Sequence, residues 1–120
     1  TAISISCRKH NCLITDYSVA PIFIGSTSGG HQWFIEFDTL PKNFDKFVEI
    51  LDLEMQNQNK YYKDLIKGGV ISRLEVKKIK KNGFNVYMKS IGRLGGQNKI
   101  PKISNDRKIA DKFENFNLIS

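Results

Sequence analysis

The hydrophobic period of this chain changes between Phe37 and Phe44, and that change limits the folds open to it. Trp33, Ile35 and Phe37 alternate with Gln32, Phe34 and Glu36, the period of two that marks a strand with a buried face. Phe34 makes the other face partly apolar as well. After Pro41 the apolar residues fall at Phe44, Phe47, Val48, Leu51 and Met55, which are i, i+3, i+4, i+7 and i+11. This spacing predicts an amphipathic helix, with Asn43 placed to cap its N-terminus. A chain carrying both periods packs helices against a sheet.

The remaining segments fill in the order. Residues from Ala2 to Asn11 fit a short helix, through Ile3 and Cys7 at i,i+4, or a strand, through Ile3 and Ile5 alternating with serines. Leu13 to Ala20 reads as a strand stopped by Pro21, and Gly25 to Gly30 as a loop. Tyr61, Tyr62, Leu65 and Ile66 extend the helical pattern into a second piece that Gly68 and Gly69 end. A strand is expected over Ile71 to Ile79, with Leu74 and Val76 on one side and Arg73, Glu75 and Lys77 on the other. Asn82-Gly83 is a turn or a helix entry, and Phe84, Tyr87, Met88 and Ile91 predict a short helix. Gly92 to Lys102 reads as a glycine-bearing loop. Ser104 is placed to cap a last helix, whose buried stripe is Ile109, Phe113 and Phe116. The expected class is α+β. A small, three-stranded, mostly antiparallel sheet carries several helices packed on one face, in a single domain without repeats or an internal linker.

Composition narrows the function. The chain has 120 residues, 40% hydrophobic and 26% charged, a balance that suits one globular domain. No apolar run approaches the roughly 20 residues that span a bilayer, so no membrane partner is expected. Arg8, Lys9 and His10 interrupt any signal-peptide core. Two cysteines are too few for a disulfide framework, which makes a reducing, cytoplasmic setting the default. Thr1 in place of an initiator Met suggests a fragment or a processed chain. The net charge of +7 is uneven: residues 1–66 hold six Lys/Arg and eight Asp/Glu, residues 67–120 thirteen and four. The second half therefore attracts anions, whether nucleic acid, nucleotide phosphate or an acidic partner, unless its lysines serve solubility alone.

Four constellations bear on chemistry. Ser26, Ser28 and His31 lie close together, but no G-x-S-x-G elbow and no orienting carboxylate accompanies them, so no hydrolase is expected. Cys7, His10, Cys12 and His31 are permitted zinc ligands, yet the C-x4-C spacing is loose and lacks a second pair. The reading without a metal is two packed thiols and two surface histidines. Lys77-Lys78-Ile79-Lys80-Lys81 is the densest basic tract, and Phe84 and Tyr87 are near enough in sequence to stack on bases, but their helical spacing places them in the core first. Finally, Gly92, Gly95 and Gly96 precede Lys99, and Pro101 follows it. This is not a P-loop, because no Gly-Lys-Ser/Thr is present. Glycines that let backbone approach another surface, followed by a lysine on a long stem, suit delivery of a cation to phosphate. From composition alone, Lys99 reads first as an ordinary solvated lysine.

Several stretches together resemble one family. Thr15-Asp16-Tyr17-Ser18-Val19-Ala20-Pro21 and Gly29-Gly30-His31-Gln32-Trp33-Phe34-Ile35-Glu36-Phe37 are similar to the C-terminal part of bacterial members of the auxin-responsive promoter family, the Gretchen Hagen acyl acid amido synthetases. The likeness continues through Tyr61-Tyr62 and the helix from Gly83 to Ile91. It ends at Gly96-Gln97-Asn98-Lys99-Ile100-Pro101-Lys102, which resembles the plant Gln-Tyr-Lys-Thr-Pro-Arg signature.

The resemblance implies a mechanism and a place in it. An N-terminal adenylation domain, absent here, binds ATP with Mg2+ and a carboxylic acid and makes an acyl-adenylate. An amino acid then forms the amide and AMP leaves. The 120 residues correspond to a C-terminal lid that delivers Lys99 as the catalytic cation, with Gly95, Gly96, Gln97 and Lys102 contacting the nucleotide. The isolated domain is expected to bind no cofactor or metal and to be inactive, and its partner is the adenylation domain rather than nucleic acid. Asn98, Ile100 and Lys102 depart from the plant signature, and Lys102 keeps the charge without the bidentate fork of arginine. A different class of function, a stand-alone basic nucleic-acid-binding or protein-interaction module, rests on charge alone.

Overall fold

The computed structural model describes residues 2–24, 27–90, 102–103 and 106–120. Among them are five helices and three strands, in the order α1 (Ala2–Lys9), β1 (Leu13–Ile24), β2 (Thr27–Thr39), α2 (Phe44–Gln58), α3 (Lys60–Lys67), β3 (Glu75–Ile79), α4 (Gly83–Ser90) and α5 (Lys108–Asn115). The sheet order is β1-β2-β3. β1 pairs antiparallel with β2, from Leu13 opposite Thr39 to Ile24 opposite Thr27, and β3 pairs parallel with β2. The α+β class and the helical reading of residues 2–9 follow. The sheet is mixed, because two helices intervene between β2 and β3 and return the chain in the same direction.

Helices lie on both faces of the sheet, not on one. Trp33, Ile35 and Phe37 join Val19, Phe47, Leu51 and Leu74 in one buried cluster with α1 and α2. Phe34 joins Ala20, Phe84, Tyr87, Met88, Ala110 and Phe113 in another, with α4 and α5. Phe34 is the reason. A central strand apolar on both faces must be covered twice, and Phe34 and Ile35 are 1% and 0% exposed. Burying each of these side chains contributes about 1.5–3 kcal/mol.

Three further expectations change on contact with the tertiary structure. β1 runs through Pro21 to Ile24 rather than stopping, because β1 is a sheet edge, where a missing N–H need not break the ladder. The Pro21 carbonyl instead accepts from Arg107 Nη1 at 3.0 Å. The third strand is confined to Glu75–Ile79, the stretch that lies beside Gln32–Glu36. On α5, Phe113 is fully buried but Phe116 is 44% exposed, and Ala110 is buried instead. Phe116 lies beyond the last helical residue, so its direction no longer follows the helical stripe. Ser104 lies outside the described residues, and α5 begins after Arg107 without a side-chain cap.

The helix ends are built by local chemistry. Asn43 Oδ1 accepts from Lys46 N at 3.1 Å, the expected cap, and Asn59 Oδ1, for which no cap was expected, accepts from Tyr62 N at 3.1 Å. At α4 the cap comes from another element. Buried Glu36 on β2 accepts from Asn82 N at 3.1 Å and Phe84 N at 3.0 Å, placing a carboxylate at the positive end of the helix. Gly83 lets the start of α4 pack against the end of β3, since a Cβ there would collide with Ile79 Cγ2.

Candidate functional site

The residues with the most chemistry sit along β1, on the face shared with α1 and α2. A bulge between Ile14 and Asp16 leaves Thr15 without a strand partner. Ile14 and Tyr17 can then both pack against the same core cluster although three residues apart. Tyr17 stacks on Trp33, with ring centroids 5.6 Å apart and planes at 18°. Asp16 Oδ1 accepts from Tyr17 N at 2.8 Å and is paired with the Lys102 ammonium. Lys102 Nζ also lies 4.5 Å from the centroid of the Tyr17 ring. The Lys102 carbonyl accepts from Val19 N at 2.8 Å, and Ile103 bridges to Val19 in parallel. Residues 102–103 thus dock on the free edge of β1 through backbone and side chain together.

Two adjoining clefts flank this anchor. One, of about 410 Å³, lies between α1 and the start of β1 and is lined by Cys7, Arg8, Cys12, Asp16, Tyr17 and Lys102 among others. The second, of about 360 Å³, runs toward α2 and α3 along Tyr17, Val19, Trp33, His31, Tyr62 and Lys102. Both share Ile3, Tyr17 and Lys102. Trp33 Nε1 is buried without a hydrogen-bond partner among the described residues. His31 lies 5.7 Å from the Tyr62 ring, and burial pushes its pKa below the ordinary histidine value. At neutral pH it is therefore an uncharged group on the wall of the second cleft.

Behind this wall sits a buried polar network. The Tyr62 hydroxyl donates to Asp52 Oδ1, and Leu74 N reaches both Tyr62 Oη at 3.2 Å and Asp52 Oδ1 at 3.3 Å. Gln56 Nε2 donates to Asp52 Oδ2 at 2.6 Å, and Arg73 Nε lies 3.9 Å from the same oxygen. Burial first, and then the Asp52 carboxylate beside it, push the Tyr62 hydroxyl well above the ordinary tyrosine range. The network ties α2, α3 and the approach to β3 together, and Tyr62 presents its ring to His31.

Of the residues expected to touch nucleotide, Lys102 is placed on β1 as described. Lys99, Gly95, Gly96 and Gln97 lie outside the described residues, as does Ser26. No group of three or more His, Cys, Asp or Glu side chains among the described residues is arranged to hold a metal ion, so Cys7, His10, Cys12 and His31 do not assemble as ligands. Phe84 and Tyr87 are 4% and 6% exposed and are closed to base stacking beside the lysine tract. Lys78 lies 4.9 Å from the Phe44 ring centroid instead. Sequence reasoning assigned no role to Asp16, Tyr17, Trp33, Asp52 or Tyr62. An aspartate inside a strand pattern, at Asp16, and one inside a helix stripe, at Asp52, were the available signals, since both positions disfavour it unless it has a partner.

The comparisons agree with this architecture. Solved structures of similar fold include a GH3.15 acyl acid amido synthetase, 18% identical with a TM-score of 0.72, aligned over 99% of this chain and 22% of that one. Another is AtGH3.15 acyl acid amido synthetase in complex with 2,4-DB, 17% identical with a TM-score of 0.75, aligned over 99% and 23%. This chain therefore spans less than a quarter of the proteins it superposes on. No curated protein sequence matches it. No helix among the described residues is long and apolar enough to cross a membrane. The profile of the GH3 family C-terminal domain matches residues 1–108, and the chain belongs to that family.

Proposed function

We propose that this chain is the C-terminal lid of an ATP-dependent ligase that joins a carboxylic acid to an amino acid through an acyl-adenylate. Joined to an N-terminal adenylation domain, it closes over bound ATP and acid, and Lys99 approaches the phosphate where negative charge develops. The observation that carries this reading is the family match, whose span of residues 1–108 includes the whole of Gly96 to Lys102. The geometry of Lys102 supports it. Three residues after Lys99, the backbone and the ammonium are both held on β1, so the signature ends on rigid scaffold. A charge delivered from such an anchor acts by positioning and by electrostatic stabilisation, worth on the order of a hundred- to a thousand-fold for one well-placed donor. Closure also shields a labile intermediate from water. Magnesium, if bound, would be held by carboxylates and would offset phosphate charge. In this proposal the adenylation domain supplies those carboxylates.

ATP–pyrophosphate exchange across a panel of carboxylic acids tests the reading, with the chain joined to its adenylation domain. Acid-dependent exchange is expected, and Lys99→Ala is expected to lower it by about a hundred-fold or more. The same substitution, at a lysine on a polar loop sequence, is expected to change unfolding free energy by less than about 0.5 kcal/mol. Exchange at the unaltered rate in Lys99→Ala removes that residue from the mechanism. Turnover of ATP by the 120 residues alone removes the lid assignment.

A further inference from the structure

Among the described residues α3 and α5 end in the same motif, and α1 ends in a related left-handed turn that holds a pair of thiols where the others hold hydrocarbon. In α5, Asn117 adopts φ 55°, Asn117 N donates to Glu114 O at 3.1 Å, and Leu118 N donates to Phe113 O at 2.9 Å. In α3, Gly69 adopts φ 71°, Gly69 N donates to Ile66 O at 3.1 Å, and Val70 N donates to Leu65 O at 2.9 Å. These are Schellman caps, in which two side chains five positions apart are brought together. They are Phe113 with Leu118, and Leu65 with Val70. In α1, Asn11 adopts φ 52° and Cys12 N donates to Cys7 O at 3.1 Å. The paired side chains there are Cys7 and Cys12.

We infer that Cys7 and Cys12 form a reversible thiol–disulfide site on the wall of the cleft between α1 and β1. The cap itself supplies the geometry. Standard bond lengths added to the 3.1 Å hydrogen bond limit the Cα separation to about 7 Å, at the upper edge of the range that disulfides bridge. The Cys7 thiol donates to the Cys12 carbonyl, the Cys12 thiol contacts Cys7, and both cysteines are free. Their accessibility is unequal. Cys7 is half-buried, Cys12 is buried, and both line the cleft that holds Lys102 and Arg8. Burial and the neighbouring thiol push the Cys12 thiol up to about 12, which keeps it protonated while Cys7 reacts.

The oxidant is a low-molecular-weight disulfide. The Cys7 thiolate attacks one of its sulfurs, forming a mixed disulfide and releasing one small thiol. The Cys12 thiolate then attacks the Cys7 sulfur, the second small thiol leaves, and the Cys7–Cys12 bond remains. Two protein thiols are oxidised and one small disulfide is reduced to two thiols, which take up the two protons. A carboxylate-bearing disulfide suits the cleft through Arg8, since Lys102, which also lines it, is paired with Asp16. The bond pins the C-terminus of α1 to the start of β1 beside the Lys102 anchor. Redox state then sets how firmly that wall is held.

Oxidised glutathione is the probe, with the 120-residue chain kept folded and the products read by intact mass and peptide mapping. The expected product is a chain two hydrogens lighter, with Cys7 joined to Cys12 and both thiols restored by dithiothreitol. Cys12→Ser is expected to stop at a glutathione adduct on Cys7. Cys7→Ser is expected to stay unmodified under conditions that modify it once unfolded. The second step is expected to quicken as pH rises, since it needs the Cys12 thiolate and burial disfavours that form. A stable Cys7–glutathione adduct on the unaltered chain overturns the inference. So does survival of both thiols at concentrations that oxidise the unfolded chain. The deciding measurement is made on the unaltered chain, so a folding defect in either variant leaves the outcome readable.

Discussion

The two faces of the central strand are built differently. On the α4/α5 face, Phe113 lies 5.3 Å from Phe34, 5.1 Å from Phe84 and 5.3 Å from Tyr87, ring centroid to centroid. Glu36 caps α4 from below and Arg107 binds α5 to Pro21 O and to Gln32 Oε1 at 3.0 and 2.9 Å. On the α1/α2 face, Phe47 and Leu51 are as deeply buried, but the packing gives way toward β1 to two clefts, a Trp33 Nε1 with no partner among the described residues and a thiol pair. The contrast separates the jobs of the faces. Dense aromatic packing and charge-assisted caps make one face a rigid support. The other keeps polar groups and open volume, the features from which binding sites are made.

Breaking the rigid face has the largest expected effect. Phe113→Ala removes the ring that three others contact and is expected to cost about 3–5 kcal/mol, enough to unfold much of the population. Urea titration followed by circular dichroism checks this, and a loss below about 1 kcal/mol would show that the face is loosely packed. On the grooved face, Tyr62→Phe leaves the buried Asp52 and Leu74 N short of a partner, with an expected loss of about 1–3 kcal/mol in the same measurement.

Smaller effects probe the anchor. The Lys102 and Asp16 side chains are 52% and 30% exposed, so Lys102→Met is expected to cost no more than about 1 kcal/mol while loosening residues 102–103 from β1. Hydrogen exchange at Val19 N, which donates to the Lys102 carbonyl, reports that loosening directly. The last test is a pH dependence. Burial lowers the His31 pKa, so below the ordinary histidine value of about 6.5 the unfolded chain takes up a proton that the folded chain resists. Stability from this group is thus fully present above that pH and declines as pH falls toward the folded-state pKa. A His31→Phe variant is expected to show a flatter decline between about pH 7 and about pH 5 in urea midpoints, and an identical decline would mean that His31 is not desolvated.

Much of this architecture was legible in particular residues. The period change between Phe37 and Phe44, the asparagine at 43 and the glycines at 68 and 69 act over a few residues of chain, where local sterics and hydrogen bonding decide. Phe34 announced the second buried face, though its consequence, helices on both sides, needed the whole strand to be read as central. The family signature was legible by resemblance, and Lys102 is the signature residue whose position the structure describes.

What only the tertiary structure decided depends on neighbours distant in sequence. The local pattern ended β1 at Pro21, and the strand's place at a sheet edge let it continue. Lys102 meets Asp16 across 86 positions, and Glu36 meets Phe84 N across 48. Neither pairing leaves a trace in hydrophobic period, because a charge looks the same in sequence whether its partner is water or a helix end. The thiol pair stands between these cases. Its spacing of five was visible, but whether the side chains meet rests on the backbone conformation of Asn11, which only the closed cap made plain. Local pattern determined the elements, and long-range burial and pairing decided which of their polar groups became a site.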